Sequence, residues 1–140
     1  MPEKREALGF RLEFSHLRAE YAVLLLLTTG VVTWQAASID WFAFVALFAL
    51  IDVIGYLPGY FWCRFKQEEI APAGFYYAYN FSHHLGFALA VSALYWFLVD
   101  HNPAFLALFM HQFADRAILG NFHKNKNNPF NESTLHLLKE

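Results

Sequence analysis

Five side chains in this chain ask for a chemical explanation: Asp52, His83, His84, His111 and Asp115. Each interrupts an almost uncharged stretch, as in "NFSHHLGFALAVSALYWFLV" over residues 80–99. Imidazole and carboxylate together suit Zn, Mn or Fe rather than a thiolate-loving ion. The same pair serves general acid–base chemistry. His111 and Asp115 are four apart, so on a helix they project from one face. There the carboxylate can share an ion with the imidazole or orient it from behind. Asn80 and His84 have the same spacing, as do His16 and Glu20. Helix neighbours point about 100° apart, so only one of His83 and His84 can aim at a single site. The other is expected to hydrogen-bond Asn80 or an adjacent helix, as polar groups in bundles do.

The elements that must hold these residues are apolar helices. The chain has 140 residues, 57% of them hydrophobic and 16% charged, and the charges crowd into 3–20, 64–69 and 115–140. A transmembrane helix needs about 20 mostly apolar residues. Four stretches are read as spans: 22–39, 41–60, 75–99 and 104–119. None shows the polar face at the 3.6-residue period that a soluble helix presents. The expected fold is all-α: an integral membrane bundle of four transmembrane helices spanning 1–120, preceded by a charged amphipathic lead-in helix. Residues 121–140 are expected to form a polar cytoplasmic tail, with "HKNKNNPFNES" as a solvated linker and a short surface helix opened by Ser133.

Alternating helices put all ten Lys and Arg on one side and only Asp40 and Asp100 on the other. The positive-inside rule then places both termini in the cytoplasm, and Trp41, Trp62 and Trp96 fall near span ends as interfacial aromatics do. A plasma membrane is the expected location. The formal net charge of −2 points away from nucleic acid. Cys63 is the single cysteine, so it forms no disulfide within the chain and is read as a small buried hydrophobe.

Ionisable groups inside membrane segments are costly and mark a site or a pairing. At about 1.5 Å per residue, Asp52, His111 and Asp115 lie about 16, 11 and 17 Å from the outer ends of their segments, and His83 about 25 Å. Three helices thus bring carboxylate and imidazole to compatible depths. The motif "IDVIGYLPGY" adds Gly55, Pro58 and Gly59, which weaken the second helix just after Asp52. Irregular backbone at that depth belongs where it is buried in protein or lines a wet cavity. Arg116, beside Asp115, is expected to point away and snorkel to the interface.

The run "FSHH", an apolar helix and then "LALFMHQFADRAILGNF" resembles the bacterial inner-membrane metal-dependent hydrolase family, sometimes described as LexA-binding. On that resemblance Ser82 and His83 match a Thr-His pair, His111 and Asp115 a late His and Asp, Asp52 one acidic residue and His16 an early His. Ala78, Tyr79 and Asn80 depart from the family's middle element, and a single Asp stands in its acidic element. The resemblance implies a divalent metal (Zn, Mn or Fe) held by His16, Asp52, His83, His111 and Asp115, with Asp52, His83, His111 and Asp115 also catalytic. Such an ion lowers the pKa of a bound water to about 7 and polarises a phosphoryl or acyl oxygen. The substrate implied is a lipid or another membrane-associated ester or phosphoester.

Three other functions fit the same residues. A small subunit of a larger membrane complex, or a homo-oligomer, would use His83, His84 or His111 as axial ligands for haem or chlorophyll, with His84 the cofactor-facing residue. A non-haem iron oxidase is a sister possibility, though the dense His-x-x-His-His boxes expected of desaturases are absent. A proton-coupled carrier would use Asp and His as a relay.

Overall fold

The computed structural model describes residues 2–134, with side chains from residue 13 onward. Among these residues every regular element is helical. They are α1 (Pro2–Trp34), α2 (Trp41–Gly55), α3 (Leu57–Lys66), α4 (Ala73–Ser82), α5 (Leu85–Leu98) and α6 (Leu106–Ala114). A 3₁₀ turn, Pro103–Phe105, leads into α6, and a π turn, Asp115–Leu119, continues it. The short helix expected from Ser133 onward runs into 135–140, outside the described residues.

The charged lead-in and the first apolar stretch are one continuous helix, α1. Its Glu13–Trp34 portion is the one single helix among the described residues long and apolar enough to cross a membrane. The second apolar stretch is the bent pair α2–α3 and the third is the bent pair α4–α5, with angles of 45° and 58°. Each pair reaches spanning length only when taken as one bent span. The fourth stretch differs most from expectation, because it divides into the 3₁₀ turn, a nine-residue α6 and the π turn. Its polar residues explain this: His111, Gln112 and Arg116 are buried, and α6 packs against α1, α2 and α5. It is a central element, with Ala107 and Leu108 fully buried.

Local chemistry accounts for the helix ends. Asp40 caps α2, its Oδ1 accepting from the backbone N–H of Phe42 and Ala43 at 2.9 and 3.1 Å. The α2–α3 bend falls at Tyr56, ahead of Pro58, which has no N–H to continue the ladder. The α4–α5 bend was not expected, since the two histidines were read as lying within one helix. It falls at His83 and His84: His84 turns extended (φ −84°, ψ 138°), and its own side chain accepts from Gly86 N–H at 3.0 Å, capping α5. The break frees backbone carbonyls, and α6 supplies the donors. Gln112 Nε2 donates to His84 O (3.0 Å) and more weakly to Ser82 O (3.4 Å), while Arg116 Nη2 donates to His83 O (2.9 Å). Arg116 is therefore buried beneath the break, with its guanidinium 4.7 Å from the Tyr21 ring centroid, rather than snorkelling outward.

The chain's two poles differ in charge. At one, the backbone N–H of Asp40 meets Asn102 Oδ1 at 3.3 Å, joining the α2 and α6 approaches. At the other, Arg18 Nη2 donates to Ala117 O at 2.9 Å, bringing the basic part of α1 beside the end of the π turn. Residues 121–134 do not run free there as a solvated linker. Phe130 is fully buried in an aromatic cluster with Tyr76 and Tyr79, its N–H bonds Glu69 O at 2.8 Å, and Asn80 grips both the N–H and the carbonyl of Lys124.

The two bends touch. A Cβ on Gly55 would collide with Ser82 Oγ and crowd His83 Nδ1 and the Tyr79 backbone, whereas one on Gly30 would meet nothing within 4 Å. Gly55→Ala is therefore expected to lower the thermal unfolding midpoint in detergent. Gly30→Ala, inside exposed helix, should raise stability by up to about 1 kcal/mol. An unchanged midpoint for Gly55→Ala would mean that the bends are not held at this separation.

Candidate metal centre

The bends bring four of the candidate residues together. Asp52 sits on the last turn of α2, His83 at the α4–α5 break, His111 on α6 and Asp115 at the start of the π turn. His83 Nε2 lies 3.5 Å from Asp52 Oδ1 and 3.3 Å from Asp115 Oδ2. His111 Nε2 lies 3.6 Å from each of the same two oxygens. The donor atoms of Asp52, His83 and His111 are all within 4.8 Å of one another.

These separations are wider than the common 2.7–3.2 Å of N–H···O bonds. Both Nε2 atoms are buried without a hydrogen-bond partner, and so is His111 Nδ1. Donors about 2.0–2.2 Å from one ion stand about 3.3–3.6 Å apart at tetrahedral angles. The four His–Asp separations fall in or close to that range, so the group could hold a cation, with Asp52, His83 and His111 as the donors that lie close enough together. Charge leads to the same place. Two carboxylates with two neutral imidazoles carry two negative charges, and leaving the largely buried Asp115 uncompensated is costly. Two protons or one divalent ion would balance them.

The surroundings orient His83 for the second solution. Its Nδ1 lies 3.0 Å from Tyr79 O, which can only accept, so in the neutral ring that bonds this carbonyl Nδ1 carries the proton and Nε2 presents its lone pair to the site. Ser82 Oγ is 2.9 Å from the same Nδ1, and the Tyr79 ring stacks on the imidazole at 3.8 Å between centroids. Carbonyl-anchored imidazoles of this kind are what metal ligands use to hold tautomer and direction. On the other ligand, Phe48 packs 4.7 Å from the His111 ring centroid. The Asp52 side chain is 42% exposed against 7% for His83, so the group is reachable from one side.

Two of the expected residues stand elsewhere. His84 is exposed, occupied as the α5 cap, and its ring stacks on His123 at 6.2 Å. It bonds neither the cluster nor Asn80, which is taken by Lys124. His16 is exposed on α1 and is not among the donors that converge. Gln112 and Lys124 are not singled out by the sequence reading, Ser82 enters it only through the family resemblance, and Arg116 only as an interfacial side chain. For Gln112 and Arg116 a signal was present. In "HQFADR", Gln112 and Arg116 repeat the four-residue spacing of His111 and Asp115 one position on, so a second polar stripe runs beside the first.

A cavity of about 290 Å³ opens on the group, lined by Asp52, His83 and Asp115 and, from the returning segment, Asn121 and Lys124. A second cavity, also about 290 Å³ and lined by Phe48, His111 and Ile118, shares Asp52, Asp115 and Leu119 with the first. Lys124 Nζ lies 4.9 Å from the Tyr79 ring centroid and donates to Glu132 O at 2.9 Å. Comparison with protein-family models, curated proteins and solved structures returns no match.

Burial pushes the Lys124 amine down from its ordinary 10.5 to about 8, with Asp115 and Glu132 opposing the shift. Its folded-state pKa is below the unfolded one, so the cost of the buried ammonium is fully present below pH 8 and fades as pH rises towards 10.5. Unfolding midpoints of the wild type and Lys124→Met, compared in detergent, should therefore move in favour of the wild type between pH 8 and 10.5. A pH-independent difference would mean that Lys124 is solvated.

Proposed function

We propose that the chain is an integral membrane, metal-dependent hydrolase, with Asp52, His83 and His111 holding a divalent cation. The observation that carries this is the pair of buried, unpartnered Nε2 atoms facing two carboxylate oxygens at 3.3–3.6 Å. The membrane part rests on apolar surface. Phe42 is 86% exposed, Trp34 83%, Phe97 74% and Leu26 72%, on helices that have no apolar partner for them here. Four passes, formed by α1, α2–α3, α4–α5 and the α6 segment, are consistent with the two poles. Asp40 and Asp100 lie at one, while Arg18 and the Lys124 segment lie at the other. The positive-inside rule would then set both termini in the cytoplasm. The fourth pass is short, but α1, α2 and α5 pack around it.

When bound, the cation would acidify water and polarise an ester or phosphoryl oxygen. The chain's own residues do the rest. Tyr79 O fixes the His83 tautomer, so Nε2 faces the site throughout. Asp115 borders the cavity and reaches both imidazoles, which makes it the carboxylate suited to accept a proton from the attacking water. Arg116 and Gln112 hold the broken backbone that carries His83. The half-exposed Asp52 faces the route by which water and substrate arrive. A haem or chlorophyll subunit is less well supported, because both imidazoles point at carboxylates at short range and His84 is engaged as a cap.

Purified protein should carry one equivalent of Zn, Mn or Fe by elemental analysis and show no Soret or chlorophyll absorption. His83→Ala and His111→Ala should each reduce bound metal to background with the helical circular dichroism retained, while His84→Ala keeps it. Full metal content in both variants would reduce these histidines to packing groups and end the hydrolase reading. Single cysteines at Asn102 and Asn125 should react with an impermeant reagent from opposite sides of the membrane. Labelling of both from one side would remove the four-pass topology.

A further inference from the structure

The cavity beside the centre has a charge of its own to satisfy. A divalent ion would neutralise the two carboxylates of the His/Asp group. Lys124, lining the same cavity, then keeps the Glu132 carboxylate as its remaining coulombic counter-charge and still brings a positive charge to the cavity wall. Its ammonium is held in place by neutral partners: the Glu132 carbonyl at 2.9 Å and the faces of Tyr79 and Phe130, at 4.9 and 5.4 Å from their centroids. One hydrogen bond leaves an ammonium two further N–H donors. The mounting is rigid, since Asn80 clasps the backbone of Lys124 at 2.7 and 2.9 Å and Phe130 fills the notch left by Gly59. A lysine fixed this way, on a returning segment and lining the cavity that opens on the His/Asp group, is suited to bind an anion.

The volume bounds that anion. At about 290 Å³ the chamber is at the small end of ligand pockets, whose usual range is about 300–1,000 Å³. It suits a head group and not a whole lipid. The adjoining chamber is the more apolar of the two, with Phe48, Ala114 and Ile118 on its walls beside His111, and the two share Asp52, Asp115 and Leu119. The carboxylates thus stand on the wall between a chamber that holds a lysine and a more apolar one that holds none.

We propose that the substrate is an amphiphilic phosphate monoester, its phosphate seated against Lys124 and its hydrocarbon lying in the chamber beside Phe48 and Ile118. This rests on the hydrolase reading and narrows it. The scissile P–O bond then falls at the shared wall, beside Asp52 and Asp115. Water oxygen bonds to phosphorus and the P–O bond to the lipid alcohol breaks. One water proton ends on the leaving alkoxide, giving the free alcohol, and the other stays on the released hydrogen phosphate. No oxidant or co-reactant beyond water is needed.

The test uses the full chain in detergent, with inorganic phosphate and hexyl phosphate as probes and calorimetric binding as the readout. Both probes should bind, hexyl phosphate the tighter. Lys124→Met should weaken both at least about tenfold with metal content unchanged, and Lys124→Arg should restore most of the loss. Ile118→Asp should weaken hexyl phosphate alone. Equal binding of both probes by wild type and Lys124→Met overturns the inference. Equal affinity for the two probes, with Ile118→Asp silent, overturns its hydrocarbon half and leaves free phosphate as the ligand. Should the protein bind no metal, Lys124-dependent phosphate binding would still support the anion seat while the hydrolase reading falls. Absence of that binding would overturn the seat whatever the metal result.

Discussion

The structure depends on how the backbone break between α4 and α5 is satisfied. A helix interrupted among apolar side chains exposes carbonyls that water would normally solvate, and each one left unpaired costs about 1–3 kcal/mol. Here the carbonyls of Ser82, His83 and His84 accept from Gln112 and Arg116 of the central segment. That one set of bonds does three things. It locks α6 against the bend, it turns His83 inward while His84 becomes a cap, and it carries His111 and Asp115 into register with His83. The polar side chains of α6 divide their labour accordingly. His111 and Asp115 form the site, while Gln112 and Arg116, one position on, hold the scaffold that presents the facing imidazole.

The second bend supports the first. Pro58 interrupts the α2–α3 ladder, Gly55 allows the two breaks into contact, and Gly59 admits Phe130. Both bent pairs thus place their irregular backbone on the centre, where side-chain donors and a cavity are available, in keeping with the way broken helices are tolerated among apolar surroundings. The π turn at Asp115–Leu119 belongs to the same design, since such turns frequently occur at functional sites. Its late carbonyls are engaged by Arg18 from α1, at 2.9 Å for Ala117 O. The long apolar helix is thereby tied to the centre as well as to the exterior.

Electrostatics gives the centre its character. Two imidazoles and two carboxylates share a partly enclosed space without direct hydrogen bonds between them, an arrangement that asks for positive charge in the middle. A lysine beyond the carboxylates asks for negative charge in the cavity. On the reading proposed above, the two demands side by side would make a site with an internal polarity, cation first and anion next to it, with the more apolar chamber on the far side of the carboxylates.

Much of this was legible from residue types and spacing. The apolar stretches, their helical character and the weak point at "GYLPG" follow from local composition, because helix length and backbone breaking by Pro are local properties. The i, i+4 spacing of His111 and Asp115 likewise put both on one face. The break at His83–His84 was not legible: no Pro or Gly lies at its corner, and neither histidine breaks a helix by itself. Only the partners on α6, some thirty residues away in the chain, make that conformation affordable. The same reason decided which histidine faces the site, turned Arg116 from an interfacial side chain into a buried donor, and made the last apolar stretch a short central element. It also returned the polar segment 121–134 to the cavity, since Phe130 and Lys124 gain their places from Gly59 and Asn80, contacts between residues far apart in sequence that no periodicity encodes. Local chemistry determined the helices and the stock of donors; the satisfaction of buried backbone by distant side chains decided where they meet.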